Sequence, residues 1–388
     1  MKAKLPRTVW ALGWVSFFTD FSSEMIYPLL PVFLSSVLGA GAVAIGVIEG
    51  VAESTAALLK AVSGIWADKV RRRKPFVVAG YGLAGVVRPL IGLVTAWPGV
   101  LACRFLDRVG KGLRTSPRDA LIADVTAPEQ RGAAFGLHRS MDHAGAVVGP
   151  LVAAALLNWG GFDLRQVFLL AAIPAAAVMM VVMFGVQEAA KNPAETKPVP
   201  GNWRELGGDY WRLMAAVLVF TLGNSTDAFL LLRLKDVGVP VAWVAVLWAA
   251  HHAVKMVATF YGGKLSDTAG RRSLVLGGWI LYSVVYVAFG WVSSVAGLVA
   301  VFLVYGVYYG LTEPAEKAWI ADMAPAQLRG TAFGFYHAAV GVGALPASLL
   351  FGWAWKVWGA PSAFSIGAAV AAVATMMLAV VATPRRNR

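Results

Sequence analysis

Acidic residues recur at helical spacing in stretches that are otherwise apolar. Asp20 and Glu24 stand four apart, as do Glu49 and Glu53, so each pair shares one helical face. Arg88 follows. Arg104, Asp107, Arg108 and Lys111 then recur at threes and fours, before Arg114, Arg118 and Asp119, and later His138, Arg139, Asp142 and His143. A carboxyl group in a wet cleft with low-dielectric walls can exchange a proton near neutral pH, which is the chemistry a proton carrier needs. Glu24, Glu49 and Glu53 are the first candidates for that role, with Asp20 and Asp142 next. Arg88, Arg104 and Arg108 are the cations available to restrain them. Asp107, Arg118 and Asp119 read instead as an internal ion-pair network. The adjacent His251 and His252 are the rival titrating site.

The second half holds fewer charges. Asn224, Ser225, Thr226 and Asp227 form one polar patch, and Trp248, His251, His252 and Lys255 a second. Glu313, Glu316 and Lys317 follow, then Tyr336 and His337. An acidic and basic cluster in one half and an aromatic, histidine-lined wall in the other suit an amphiphilic small molecule. Arg88, Arg104, Arg108, Asn224, Asp227, Trp248, His251, His252, Lys255, Glu313, Tyr336 and His337 are the candidate lining. There is no phosphate-binding Gly-x-x-x-x-Gly-Lys-Ser/Thr loop, no Cys/His metal spacing and no Gly-x-Ser-x-Gly elbow. The sequence therefore offers no catalytic centre, cofactor or metal site, and the energy for transport must come from a gradient.

The elements that position these residues follow from the solvent. The chain is 58% apolar and 14% charged, too few charges to cover a soluble domain of 388 residues. A bilayer needs about 20 apolar residues per helical span. Spans fall near 8–37, 42–67, 75–96, 98–125, 131–158, 164–187, 209–235, 240–265, 273–294, 296–322, 329–355 and 360–384. Pro28 and Pro31 break regular hydrogen bonding toward the outer end of the first. That segment is too long and too rich in Asp, Glu and Pro for a cleaved signal peptide. The expected fold is all-α, with twelve transmembrane helices in two six-helix bundles at 1–187 and 209–388, joined by a cytoplasmic linker at 188–208. With both termini cytoplasmic, 19 basic residues flank the spans on that side and three (Arg165, Lys235 and Lys356) on the other. Most of the cations behind the net charge of +13 thus lie in short loops and form no nucleic-acid surface. A multi-pass protein of the cell membrane, working as a monomer, is expected.

The halves repeat each other. Ala120-Leu-Ile-Ala-Asp124 and Arg131-Gly-Ala-Ala-Phe-Gly136 return 198 residues later as Ala318-Trp-Ile-Ala-Asp322 and Arg329-Gly-Thr-Ala-Phe-Gly334. Gly64-Ile-Trp-Ala-Asp68-Lys-Val-Arg71-Arg72-Arg73-Lys74 returns as Gly263-Lys-Leu-Ser-Asp267-Thr-Ala-Gly-Arg271-Arg272. Such a parallel repeat suits two bundles rocking about a central site. These two loops resemble the signature Gly-x-Leu-Ala-Asp-Arg-x-Gly-Arg-Lys of the major facilitator superfamily, and the likeness extends over the whole chain. It implies secondary active transport by alternating access, with Gly64, Asp68, Arg72, Gly263, Asp267 and Arg271 as the gating positions. Gly145-Ala-Val-Val-Gly149-Pro150 is similar to the antiporter signature of proton-driven drug exporters, although Ala153 and Ala154 stand where those exporters often have glycines. Arg108-Val-Gly-Lys-Gly112 matches the fourth-span pattern of the superfamily only loosely. The resemblance implies proton-coupled export of a small organic or drug-like molecule. Import of a nutrient, metal or metal chelate is the alternative, and a non-transporting sensor has no use for membrane-depth acids. The implied partners are the small-molecule substrate, protons and lipid.

The topology is testable with a single thiol. In a Cys103→Ser background, Ala194→Cys is expected to react with an impermeant maleimide only after the cell is opened. Labelling of intact cells would reverse the orientation.

Overall fold

The computed structural model describes residues 4–40, 42–70, 72–188 and 202–381. Most of the 188–208 linker, Arg71 and the basic tail from 382 lie outside the described residues. Among those residues the chain is helical throughout, and its helices make twelve spans, six in each half. α1 (Arg7–Glu24) gives way at Pro28 and Pro31 to short irregular turns that end in a wide turn over Phe33–Val37. α2 (Ala42–Val70), α3 (Lys74–Leu90), α4 (Trp97–Val125), α5 (Arg131–Asn158) and α6 (Leu164–Gly185) complete the first half. α7 consists of two pieces, Gly207–Gly223 and Ala228–Asp236. It departs from the single segment expected over 209–235, because the polar side chains of 224–227 compete for the backbone hydrogen bonds of a helix. α8 (Val241–Ala269), α9 (Arg271–Trp291) and α10 (Val295–Met323) follow. The last helical stretch, Arg329–Ala379, turns at Gly359, whose φ of 81° favours a residue without a side chain, into α11 (329–358) and α12 (360–379).

Seven stretches are long and apolar enough to cross a membrane by length and composition alone. α4 fails that test because it carries too many charged residues, and these are largely turned inward. Arg104 is 2% exposed, and Asp107 and Asp119 are fully buried.

The chain forms two compact units, 1–127 with 137–201 and 326–334, and 128–136 with 202–325 and 335–388. Each follows one half of the chain, except that the starts of α5 and α11 belong to the opposite unit. At one end the first unit closes on Ile26, Phe33, Leu34, Ile91, Val167 and Phe168. In the second unit α8 and α10 meet backbone to backbone: a Cβ on Gly262 would overlap the carbonyl of Gly310, and one on Gly310 would overlap Ala258. Small residues allow this approach in lipid, where packing replaces the hydrophobic effect as the glue.

That contact sets an expectation for stability. Gly262→Val should lower the unfolding temperature in detergent sharply. Gly277→Val, where a Cβ meets nothing within 4 Å, should leave it unchanged. Equal effects would mean that the α8–α10 approach is not what holds the unit.

Candidate functional site

In the first unit α1 is seated on α5 by the two motif glycines. A Cβ on Gly149 would lie 2.7 Å from the carbonyl oxygen of Phe21 and 2.8 Å from Cβ of Glu24, and one on Gly145 would overlap the carbonyl of Phe17. The helix held so closely is the one carrying Asp20 and Glu24. The Asp20 carboxyl lies within electrostatic reach of Asp142, Glu24 and Lys111. Two carboxyl groups within reach of each other can hold one proton between them, because a protonated carboxyl donates and an ionised one accepts. Asp142 also accepts a 2.6 Å hydrogen bond from Ser16 Oγ and pairs with Arg139 one turn earlier. Glu49 and Glu53 lie on α2, with their side chains outside the described residues.

Beside this cluster sits a charge lock. Arg88 Nε donates to Asp107 Oδ1 at 2.7 Å, and Arg88 Nη1 donates to the Thr19 carbonyl at 2.9 Å. The Tyr27 hydroxyl donates to Asp107 Oδ2 at 2.6 Å. The Arg104 guanidinium lies 4.1 Å from the Tyr27 ring centre and that of Arg108 5.6 Å. Asp107 therefore ties α1, α3 and α4 together at bilayer depth, while Arg118 closes on its neighbour Asp119 at 2.8 Å. Tyr27 is a partner that sequence reasoning did not reach: a lone tyrosine between apolar residues carries no signal.

The second unit gathers aromatic residues around the break in α7. Tyr305 and Tyr309 hydroxyls donate to Asp227 at 3.1 and 3.2 Å. Lys255 Nζ stands 3.5 Å from Asp227 Oδ2 and 3.7 Å from the Tyr309 ring centre. Trp248 lies edge-on to His252 at 5.0 Å. His251 is buried, stacked on Phe302 and hydrogen-bonded to the Phe302 carbonyl at 3.0 Å. Tyr282 donates to the Gly223 carbonyl at 3.1 Å and reaches Asn224 Oδ1 at 3.3 Å. Ser225 and Tyr286 share a hydrogen bond of 3.2 Å. Glu316 accepts from Trp279 Nε1 at 3.0 Å and from the Tyr336 hydroxyl at 2.7 Å. Glu313 and His337 are half-buried nearby. Tyr282, Tyr286, Tyr305 and Tyr309 were absent from the candidate lining, although their spacing of four marks an aromatic face on α9 and α10.

Helix ends complete the picture. The backbone N–H groups of Gly330 and Thr331 at the start of α11 donate to Asp68, at 3.1 and 2.5 Å. Those of Gly132 and Ala133 at the start of α5 donate to Asp267, at 2.9 and 2.8 Å. A carboxylate here satisfies amides that have no partner within the helix and meets the positive end of its dipole. Gly64 and Gly263 leave room for the approach, facing the backbone at Gly330 and Gly136. Arg271 pairs with Asp267 and reaches Asp322 at 3.3 Å, and Arg131 reaches Asp322 at 2.6 Å. In the first unit Arg73 pairs with Asp68 and reaches Asp124 at 3.4 Å, and Arg329 reaches Asp124 at 2.8 Å. The loop arginine over Asp68 is thus Arg73, whereas Arg72 is exposed. The first loop is one residue longer than its copy, so aligning the aspartates puts Arg72, not Arg73, opposite Arg271. Burial works against the Arg73 charge, but the carboxylates of Asp68 and Asp124 hold its pKa above the ordinary arginine value.

The Major Facilitator Superfamily family model matches residues 12–251 and 235–388. The chain belongs to this superfamily. It is 32% identical to an uncharacterized MFS-type transporter of Methanocaldococcus jannaschii, across 97% of this chain and 95% of that protein. The multidrug resistance protein MdtH of Salmonella schwarzengrund is 25% identical across 85% of this chain and 82% of its own. Among solved structures, the human organic anion transporter MFSD10 superposes with a TM-score of 0.81 at 16% identity, over 97% of this chain and all of that one. That likeness is one of fold. The chain is a multi-pass membrane transporter of the major facilitator type.

In this major facilitator transporter the two loop arginines should differ when substituted. Arg73→Gln leaves Asp68 buried without its cation, while Asp124 keeps Arg329, and should cost about 3 kcal/mol or more. Arg72→Gln should leave the thermal unfolding midpoint unchanged. Equal midpoints for the two variants would remove Arg73 from the network.

Proposed function

We propose that the protein is a proton-coupled exporter of small organic, drug-like molecules, working by alternating access as a monomer in the cell membrane with both termini cytoplasmic. The bundles 1–187 and 209–388, joined by the 188–208 linker, are its moving parts. The observation that carries this reading is the Asp20–Asp142 carboxyl pair, set where Gly145 and Gly149 press α1 onto α5. A coupling group must take a proton from one side, release it to the other, and feel the substrate between the two events. A carboxyl pair sharing one proton does this when a shift of α1 against α5 separates its members. Glu24, one turn along the same face, relays or replaces Asp20, and Ser16 and Arg139 steady Asp142 in its ionised form. The name of the relative MdtH, multidrug resistance protein, supports export and a drug-like cargo. Asp68 and Asp267 hold helix ends that form in one stage of the cycle and part in another, so they gate and do not bind cargo.

Proteoliposomes with an internal pH dye test the coupling, with ethidium as the first transported probe. Asp142→Asn and Asp20→Asn should each abolish accumulation driven by a pH gradient while keeping ethidium exchange without one. If both variants accumulate normally, and only substitution of His251 or His252 removes coupling, the carboxyl pair is not the carrier.

A further inference from the structure

The second unit holds an ammonium group in the manner of a bound ligand. Lys255 Nζ sits 3.5 Å from an Asp227 carboxylate oxygen, 3.7 Å from the Tyr309 ring centre and 5.7 Å from that of Trp248. One carboxylate and two aromatic faces are the elements of a cage for an organic cation. The hydroxyls of Tyr305 and Tyr309 fix the orientation of the carboxylate. Exposure then decides which charge an incoming molecule meets. The Asp227 side chain is 23% exposed and the Lys255 side chain 5%, so the open side presents the anion. The break in α7 adds to the same sign. The piece Gly207–Gly223 ends four residues before Asp227, and its terminal carbonyls carry the negative end of the helix dipole. Broken membrane helices use such carbonyl ends to receive cations. Asp227 makes no side-chain cap to the piece that follows, so its carboxylate is turned to the two tyrosine hydroxyls and Lys255.

We propose that the Asp227, Tyr305, Tyr309 and Trp248 cradle is a binding site for an organic ammonium cation, with the Lys255 ammonium as a tethered competitor. When a substrate cation enters, Lys255 yields its place against Asp227 and keeps its contact with the Tyr309 face. The empty transporter therefore never leaves a bare carboxylate at bilayer depth, where an unpaired charge is costly. The assignment rests on the exporter reading only for the claim that the bound cation is cargo.

The test is an equilibrium titration of the purified full chain in lipid nanodiscs, without a pH gradient, read by tryptophan fluorescence. The probes are benzyltrimethylammonium, its neutral isostere neopentylbenzene, and the anion phenylacetate. The wild type should prefer the cation to both. Lys255→Met should tighten the cation by about tenfold or more by removing a charged competitor from a desolvated site. Asp227→Asn should erase the preference. The double variant Asp227→Asn with Lys255→Met leaves no lone buried charge, so it serves as the folding control and should bind cation and isostere alike. Preference for phenylacetate in the wild type, an unchanged cation affinity in Lys255→Met, or a cation preference that survives in the double variant would each overturn the site. Failure of pH-driven transport with this titration intact would sink the coupling mechanism and leave the cation site standing.

Discussion

An ion at bilayer depth must carry its own counter-ion, because lipid supplies none and water is far away. Asp107 shows how far this constraint organises the chain. Its two oxygens are taken by Arg88 and by the Tyr27 hydroxyl, and Arg88 turns a further donor to the Thr19 carbonyl. Three helices are thereby fixed at one point, and the Tyr27 ring becomes a platform for the guanidinium of Arg104. Asp20 and Glu24 lie on α1, one of the helices this post holds, and Asp142 on the neighbouring α5. A group that moves protons needs a neighbour that does not move, and the lock provides one.

The two halves answer the same constraint differently. The first spends ion pairs: Arg88 with Asp107, Arg118 with Asp119, Arg139 with Asp142. The second spends hydroxyls and rings, with Asp227 and Glu316 held mainly by tyrosine and tryptophan donors. Hydroxyl donors stabilise a carboxylate without adding a charge, so the second unit keeps a softer field in which a ligand's own charge counts for more. Duplication preserved the loops and helix starts, where the contacts are backbone to carboxylate, and let the interiors diverge.

Most of the architecture was legible because it is written in repeats and in hydropathy. Asp68 with Asp267, Asp124 with Asp322 and Arg131 with Arg329 align at offsets of 198 or 199 residues, and the same offsets carry their contacts. What the spacing hid was directional. A heptad-like stripe in α4 shows that Arg104, Asp107 and Arg108 share a face, but not that Asp107 turns to Arg88 on α3. Nor does it show that Tyr27, from a segment broken by two prolines, reaches the same carboxylate. The break at 224–227 was visible as polarity but not as a gap between two helix pieces, because local propensity does not say which backbone bonds will be given up. Arg73 was passed over for Arg72, because an extra loop residue shifts the register by one.

The exchanged helix starts have a bearing on origins. The beginning of α5 is completed by Asp267, and the beginning of α11 by Asp68. A six-helix ancestor made of one half would have carried both the acidic residue and the amides it serves, yet each would have found its match only in a second copy. Such a protein would be complete only as a pair. A chain that holds both copies spares each helix start the wait for a second molecule to bring its carboxylate.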